Sequence, residues 1–154
     1  MLLSTTGFQQ LMQPLTPLEL KKSLITQGFE IYRTLPDRVI LAERVRDNLL
    51  MDGNVAACTG AGLAVRLTTR AQQSEFPNED ETLLLERARS RGRAATARGY
   101  AEVDCAIVPV YDPGDPTRTL DTWYEVSFGR PVANEGELVQ ELRFALGLDK
   151  DATR

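Results

Sequence analysis

Two stretches of the chain, residues 103–111 and 120–128, alternate apolar and polar positions in step with one another. No other feature restricts the fold as much. With Tyr111 set opposite Leu120, Val103 falls opposite Phe128, Cys105 opposite Val126 and Ile107 opposite Tyr124, all on one side. Asp104, Ala106, Val108, Trp123, Glu125 and Ser127 then share the other side. One antiparallel register makes both strands amphipathic at once, because a slip by a single residue would invert every side chain. The linking DPGDPTRT is rich in turn formers. Pro109 has no amide proton to give to a ladder, which predicts a strand at a sheet edge.

Helices announce themselves on either side of this hairpin. Thr16 caps, Pro17 takes the first helical position and Glu19 completes a capping box, so a helix is expected over 16–27. Leu15 and Leu20 have staple spacing, Leu18, Leu24 and Ile25 give an apolar side, and Gly28 is a stop. Phe29, Ile31 and Leu35 alternate with Glu30 and Arg33, a short strand. Asp52-Gly53-Asn54 reads as a turn, Val55 to Cys58 as a short strand, and Leu63, Val65 and Leu67 as the inner face of the next. Asn78 caps a helix running from about 79 to 98, weakened in the middle by Gly92. Asn134 to Glu137 is a further capping signature, leading a helix over 135–146 that Gly147 closes. Residues 37–52 carry two patterns: Leu41, Ala42, Val45 and Leu49 share a helical face, while Val39, Leu41 and Val45 fit alternate strand positions. Propensity leans to helix there.

The expected fold is therefore α+β. An antiparallel sheet of about four or five strands packs against N-terminal, central and C-terminal helices. A chain of 154 residues is about one domain's worth. Residues 1–14 read as a loosely attached lead-in, and the tail from 149 to 154 as polar. No basic residue precedes Lys21 and no apolar stretch has signal-peptide length, so the expected address is the cytoplasm, with no membrane partner.

There is no histidine, which removes Ser-His-Asp and Cys-His catalysis and imidazole metal ligation together. The two cysteines, Cys58 and Cys105, are too few for a zinc or iron–sulfur site and read as buried small hydrophobes. No phosphate-cradling glycine motif occurs, and no cofactor is expected. A net charge of -4 argues against a surface made wholly for nucleic acid.

Four candidate groups remain. Asp104, Asp112, Asp115 and Asp121 are oxygen donors, but they match no calcium loop and read better as turn formers, so no metal site is expected. Arg87, Arg91 and Arg98 fall near one helical face and offer forks to phosphate. Acids precede them on the same helix, as its dipole prefers, and no aromatic interleaves to stack on a base. Glu102, Asp104 and Glu125 share the outer face of the hairpin, but wet carboxylates with ordinary pKa values do no proton transfer at neutral pH, so no catalytic set is expected. Trp123, the single tryptophan, is turned away from the core beside Val108 and Val110, with Pro109 on the edge. Such a patch is covered either by the chain's own fold, for instance by 37–52, or by another molecule.

If 37–52 is strand, the order becomes helix, three strands, helix, two strands, helix. That order resembles the small acidic class I chaperones of type III secretion and the similarly built YbjN-type domains. The resemblance, one of element order, length and acidity, implies dimers that hold partner segments through outer sheet and helix surfaces. The expected function is a non-catalytic protein-binding module, an adaptor or chaperone-like homodimer, using Trp123, Val108, Val110 and Pro109. Two alternatives stand beside it: an Asp/Glu-based, divalent-metal-dependent enzyme or small-ligand-binding domain, and phosphate or nucleic-acid binding through the arginine helix.

Overall fold

Six strands make one antiparallel sheet in the computed structural model, which describes residues 15–148 and 150. The chain runs α1 (Pro17–Thr26), β1 (Ile31–Leu35), β2 (Arg38–Arg46), β3 (Leu49–Cys58), β4 (Ala64–Gln72), α2 (Glu81–Ser90), α3 (Arg93–Ala97), β5 (Ala101–Asp112), β6 (Asp115–Pro131) and α4 (Glu135–Gly147). The strand order β1-β2-β3-β4-β6-β5 places the long hairpin outermost on one side. This is the expected α+β class, with one strand more than the upper estimate. The sequence 37–52 is not helix but most of the β2–β3 hairpin, turning at 47–48. Val39 and Leu41 bury on alternate positions, whereas Val45, Leu49, Leu50 and Met51 stay exposed at the tip, so the shared helical face was no core face. Four strands rather than three therefore precede α2, one more than the chaperone-like order.

The core strand residues belong to one face. Val39, Leu41, Val55, Ala57, Val65, Leu67, Ala71, Tyr124, Val126 and Phe128 form a single cluster with Leu20 and Leu24 of α1, Leu84 and Ala88 of α2, Ala95 of α3 and Leu138, Leu142 and Ala145 of α4. The caps are as the sequence specifies. Thr16 accepts the Glu19 amide in a complete capping box, and Asn134 accepts that of Glu137. The cap of α2 is Asp80 rather than Asn78.

Gly92 separates α2 from α3 for a packing reason. A Cβ there would lie 2.3 Å from two ring carbons of Phe128, so the chain crosses the sheet where only hydrogen fits. Asp52-Gly53-Asn54 is a kink inside β3 rather than a turn. Asn54 has φ 56, its amide donates to Asp52 Oδ1 at 2.8 Å, and a Cβ on Gly53 would press on the Leu41 carbonyl at 3.0 Å. The kink ends the β3–β4 ladder at Val55–Leu67. Beyond it, the Arg70 amide donates to the Lys150 carbonyl at 3.0 Å, and the Arg91 side chain donates to the Arg70 carbonyl. Lys150 is buried, its ammonium donating to the carbonyls of Ala145 and Leu148, so this part of the expected polar tail is a helix cap. The expected lead-in, 1–14, and the tail residues 149 and 151–154 lie outside the described residues.

The α4 helix is also held by charge. Glu141, 3% exposed, accepts from Arg98 Nε at 2.9 Å and the Tyr100 hydroxyl at 3.0 Å, and pairs with Arg130 at 3.1 Å. Burial and the Glu141 hydrogen bond push the Tyr100 phenol well above its ordinary range.

Three expected outcomes follow, all read from urea midpoints. Gly92→Ala costs about 2 kcal/mol through overpacking against Phe128, whereas Gly147→Ala, with open space around it, gains about 0.5–1 kcal/mol. Glu141→Ala costs about 3 kcal/mol, because buried hydrogen-bonding groups and two guanidiniums lose their shared acceptor.

Candidate functional site

With the helices on one face, the other face of the sheet carries no described element, and its residues run in rungs across β4, β6 and β5. Thr68, Ser127 and Asp104 form one rung, Arg70, Glu125 and Ala106 the next, then Gln72, Trp123 and Val108. The expected register holds through the middle of the hairpin: Cys105 opposes Val126, Ile107 opposes Tyr124 and Val108 opposes Trp123.

Its ends slip. A bulge between Glu102 and Asp104 leaves Val103 without a partner of its own, and Val103 lies against Gly129 on the outer face instead of facing Phe128 inward. The same bulge turns Glu102 to the helical side, where it accepts from Arg89 at 2.7 Å. The expected outer-face trio of Glu102, Asp104 and Glu125 is therefore reduced to two. At the other end Tyr111 pairs with Thr119, not Leu120.

Trp123 points to the outer face, as its flanking residue Tyr124 is buried in the core. It is half-buried rather than open. The Arg70 guanidinium lies over its ring at 3.9 Å from the centroid and is itself held by Glu125 at 2.7 Å. Val108 and Val110, also half-buried, flank it on β5. Pro109 projects to the opposite face by strand alternation and is exposed. Next to Trp123 the sheet carries a depression of about 220 Å³, lined by Arg38, Ile40, Asn54, Ala56, Arg66 and Arg70 among others. The Arg66 guanidinium reaches Asp104 at 3.5 Å and that of Arg38 reaches its neighbour Asp37 at 3.1 Å.

The arginines of the central helices do not converge. Arg87 pairs with Glu79 and stacks over Phe76 at 3.9 Å, Arg91 donates to the Arg70 carbonyl, and Arg98 pairs with Glu141 and stacks over Phe144 at 4.3 Å. Nor do the aspartates. Asp112 accepts the Gly114 amide at 2.9 Å and Asp115 that of Thr117 at 3.1 Å, both making turns. Asp121 instead ties the loop after β4 to the hairpin, accepting the Ser74 amide at 3.0 Å and hydroxyl at 2.7 Å. Among the described residues no three acids or thiols stand close enough to hold a metal ion together.

Sequence reasoning missed the largest exposed apolar surface of the hairpin. Ile107 and Tyr111, expected in the interior, are 45% and 52% exposed, and Leu120 is 51% exposed. Cys105 is exposed as well, while Cys58 is partly covered, and burial raises its thiol pKa. The signal was present in Pro109: β5 is an edge strand that the helices meet only near its start, where Arg89 reaches Glu102, so the inward positions beyond stay wet.

The chain matches no protein-family model, no curated protein and no solved structure.

Asp121 gives the site a pH dependence. Burial pushes its carboxyl up, but hydrogen bonds from the Ser74 side chain and amide, the Thr122 amide and the Trp123 side chain together outweigh it, and the group ends below the ordinary aspartate range. A lowered folded-state pKa stabilises the fold above the unfolded value and stops doing so as the pH falls through about 4 and below. Urea midpoints taken from neutral to acid pH are expected to fall less steeply in Asp121→Ala than in the parent chain, from a lower neutral value. Parallel acid limbs would show that Asp121 carries no such linkage.

Proposed function

We propose that the chain is a non-catalytic protein-binding module, an adaptor or chaperone-like homodimer that acts in the cytoplasm. One observation carries the reading: every described helix packs on the same side of the sheet, which leaves the Trp123 face and the β5 edge open. A sheet face holding an indole, two valines and a row of arginines suits a partner that brings apolar side chains and carboxylates together. Val108, Val110 and Trp123 bury against such a partner, and Arg38 and Arg66 meet its acids at the rim. Pro109 serves by marking the edge rather than by touching the partner through that face.

The reading asks for no general base or nucleophile, and burial raises the pKa of the Cys58 thiol, which lies opposite Arg38 on this face. The arginines of α2 and α3 keep the helices in place through carboxylates, rings and a carbonyl, which suits structure better than phosphate capture.

The test is Trp123→Ala. The sole tryptophan, once removed, is expected to weaken binding to a partner captured by the intact chain by about 2 kcal/mol or more. The thermal midpoint stays within a few degrees, because the ring lies on the outer face. Isothermal titration against that partner measures the first and calorimetry the second. Unchanged affinity with an intact fold would remove the outer face from the reading.

A further inference from the structure

β5 closes one side of the sheet, and among the described residues no segment pairs with its outer edge. Which backbone groups face that edge follows from β6. The Thr122 carbonyl turns towards β4, where it accepts the Gln73 amide at 2.9 Å, and Thr122 sits opposite Pro109. In an antiparallel ladder a residue's N–H and C=O point the same way, so Pro109 and Thr122 are a non-hydrogen-bonded pair. The donor that Pro109 lacks would have pointed outward, and β6 loses nothing by its absence. By alternation through the regular stretch 104–110, Cys105 and Ile107 aim both amide and carbonyl at the free edge.

The side chains around those groups are uncharged from Cys105 to Tyr111. Cys105, Ile107, Pro109 and Tyr111 lie exposed along the helical side, and Val108 and Val110 half-buried on the other. A long apolar edge with open backbone groups is a template for another strand, and soluble proteins cover or charge such edges. Here Pro109 is the one blunting device within the stretch.

We infer that the strand which completes this edge is β5 of a second copy, running antiparallel, with its ladder on Cys105 to Ile107. Three features select a second copy. The free groups call for an extended segment rather than a helix. The opposite edge of the sheet, β1, is five residues long with Tyr32, Arg33 and Thr34 exposed, and joining β5 to it would propagate head to tail, whereas β5 on β5 closes after two. The charges also fit. β5 carries acids at Glu102, Asp104 and Asp112 with none from Cys105 to Tyr111, and an antiparallel register centred near Cys105 to Ile107 sets no acid of one copy opposite an acid of the other. With Ala106 on the two-fold axis, Cys105 meets Ile107 of the second copy, Asp104 meets Val108, and Pro109 falls beyond the last full rung. A parallel alignment would set Asp104 against Asp104.

This seam names the dimer contact of the reading above and rests on it. Sedimentation equilibrium of the intact chain tests it together with the rate at which iodoacetamide alkylates Cys105, followed by mass spectrometry. The wild type is expected to dimerise, and Ile107→Lys to raise the dissociation constant by about 30-fold or more, with an unchanged thermal midpoint because Ile107 is half-exposed in the lone chain. Leu50→Lys at the β2–β3 tip leaves it unchanged. Cys105 alkylation slows as wild-type concentration rises through the dimerisation range and stays fast in Ile107→Lys. A dimer indifferent to Ile107→Lys, or Cys105 alkylated at one rate at every concentration, overturns the seam and leaves Trp123-dependent partner binding standing. A chain monomeric throughout overturns the seam and the dimeric part of the reading. Should Ile107→Lys fail to fold, the concentration dependence of wild-type alkylation decides alone.

Discussion

Leu67 and Val65 of β4, with Val126 and Phe128 of β6, share one core with the apolar stripes of all the helices, and that core lies on one side of the sheet only. Each helix covers a strip about one helix diameter wide, roughly 10 Å, or two strands at roughly 4.8 Å apart. With α1 over β1 and β2, α4 over β3 and β4, and α2 over β4 and β6, the helices reach β5 only near its start and leave it from Cys105 onward bare on its helical side. What the fold does not cover is set by this geometry, as much as by any special residue.

The irregular places obey the same constraint. Gly92 exists because the chain must pass over Phe128 with no room for a Cβ. The kink at Asp52 to Asn54 takes β3 away from β4, and the orphaned groups of Arg70 find the Lys150 carbonyl and the Arg91 side chain. Backbone groups removed from a ladder must be satisfied elsewhere, and here a helix-terminal lysine and a helix arginine supply the means. Arg91 is thus part of the sheet rather than of a phosphate site.

Much of this was legible in the sequence. Capping chemistry placed α1 and α4 because it is local: Thr16 with Glu19, and Asn134 with Glu137, need no tertiary partner to be recognised. The centre of the hairpin was legible because two alternating strands constrain each other's register. What failed depended on context. Residues 37–52 present an apolar set that fits both periods, and only pairing with β1 and the rest of β3 selects the strand. The bulge at Val103 and the exposure of Ile107 and Tyr111 depend on where helices end over the sheet, which periodicity does not encode. The direction of Trp123 was readable from Tyr124; its cover of Arg70, one strand away, was not.

The central claim is that the hairpin's outer edge is open to another strand, and amide hydrogen exchange reads it one residue at a time. In dilute solution the amides of Ala106 and Val108, which β6 accepts, are expected to exchange slowly, and those of Cys105 and Ile107 to exchange as fast as a loop. Raising the concentration should slow the second pair alone. Protection of Cys105 and Ile107 that persists at every dilution would mean the chain covers its own edge, and would contradict the account.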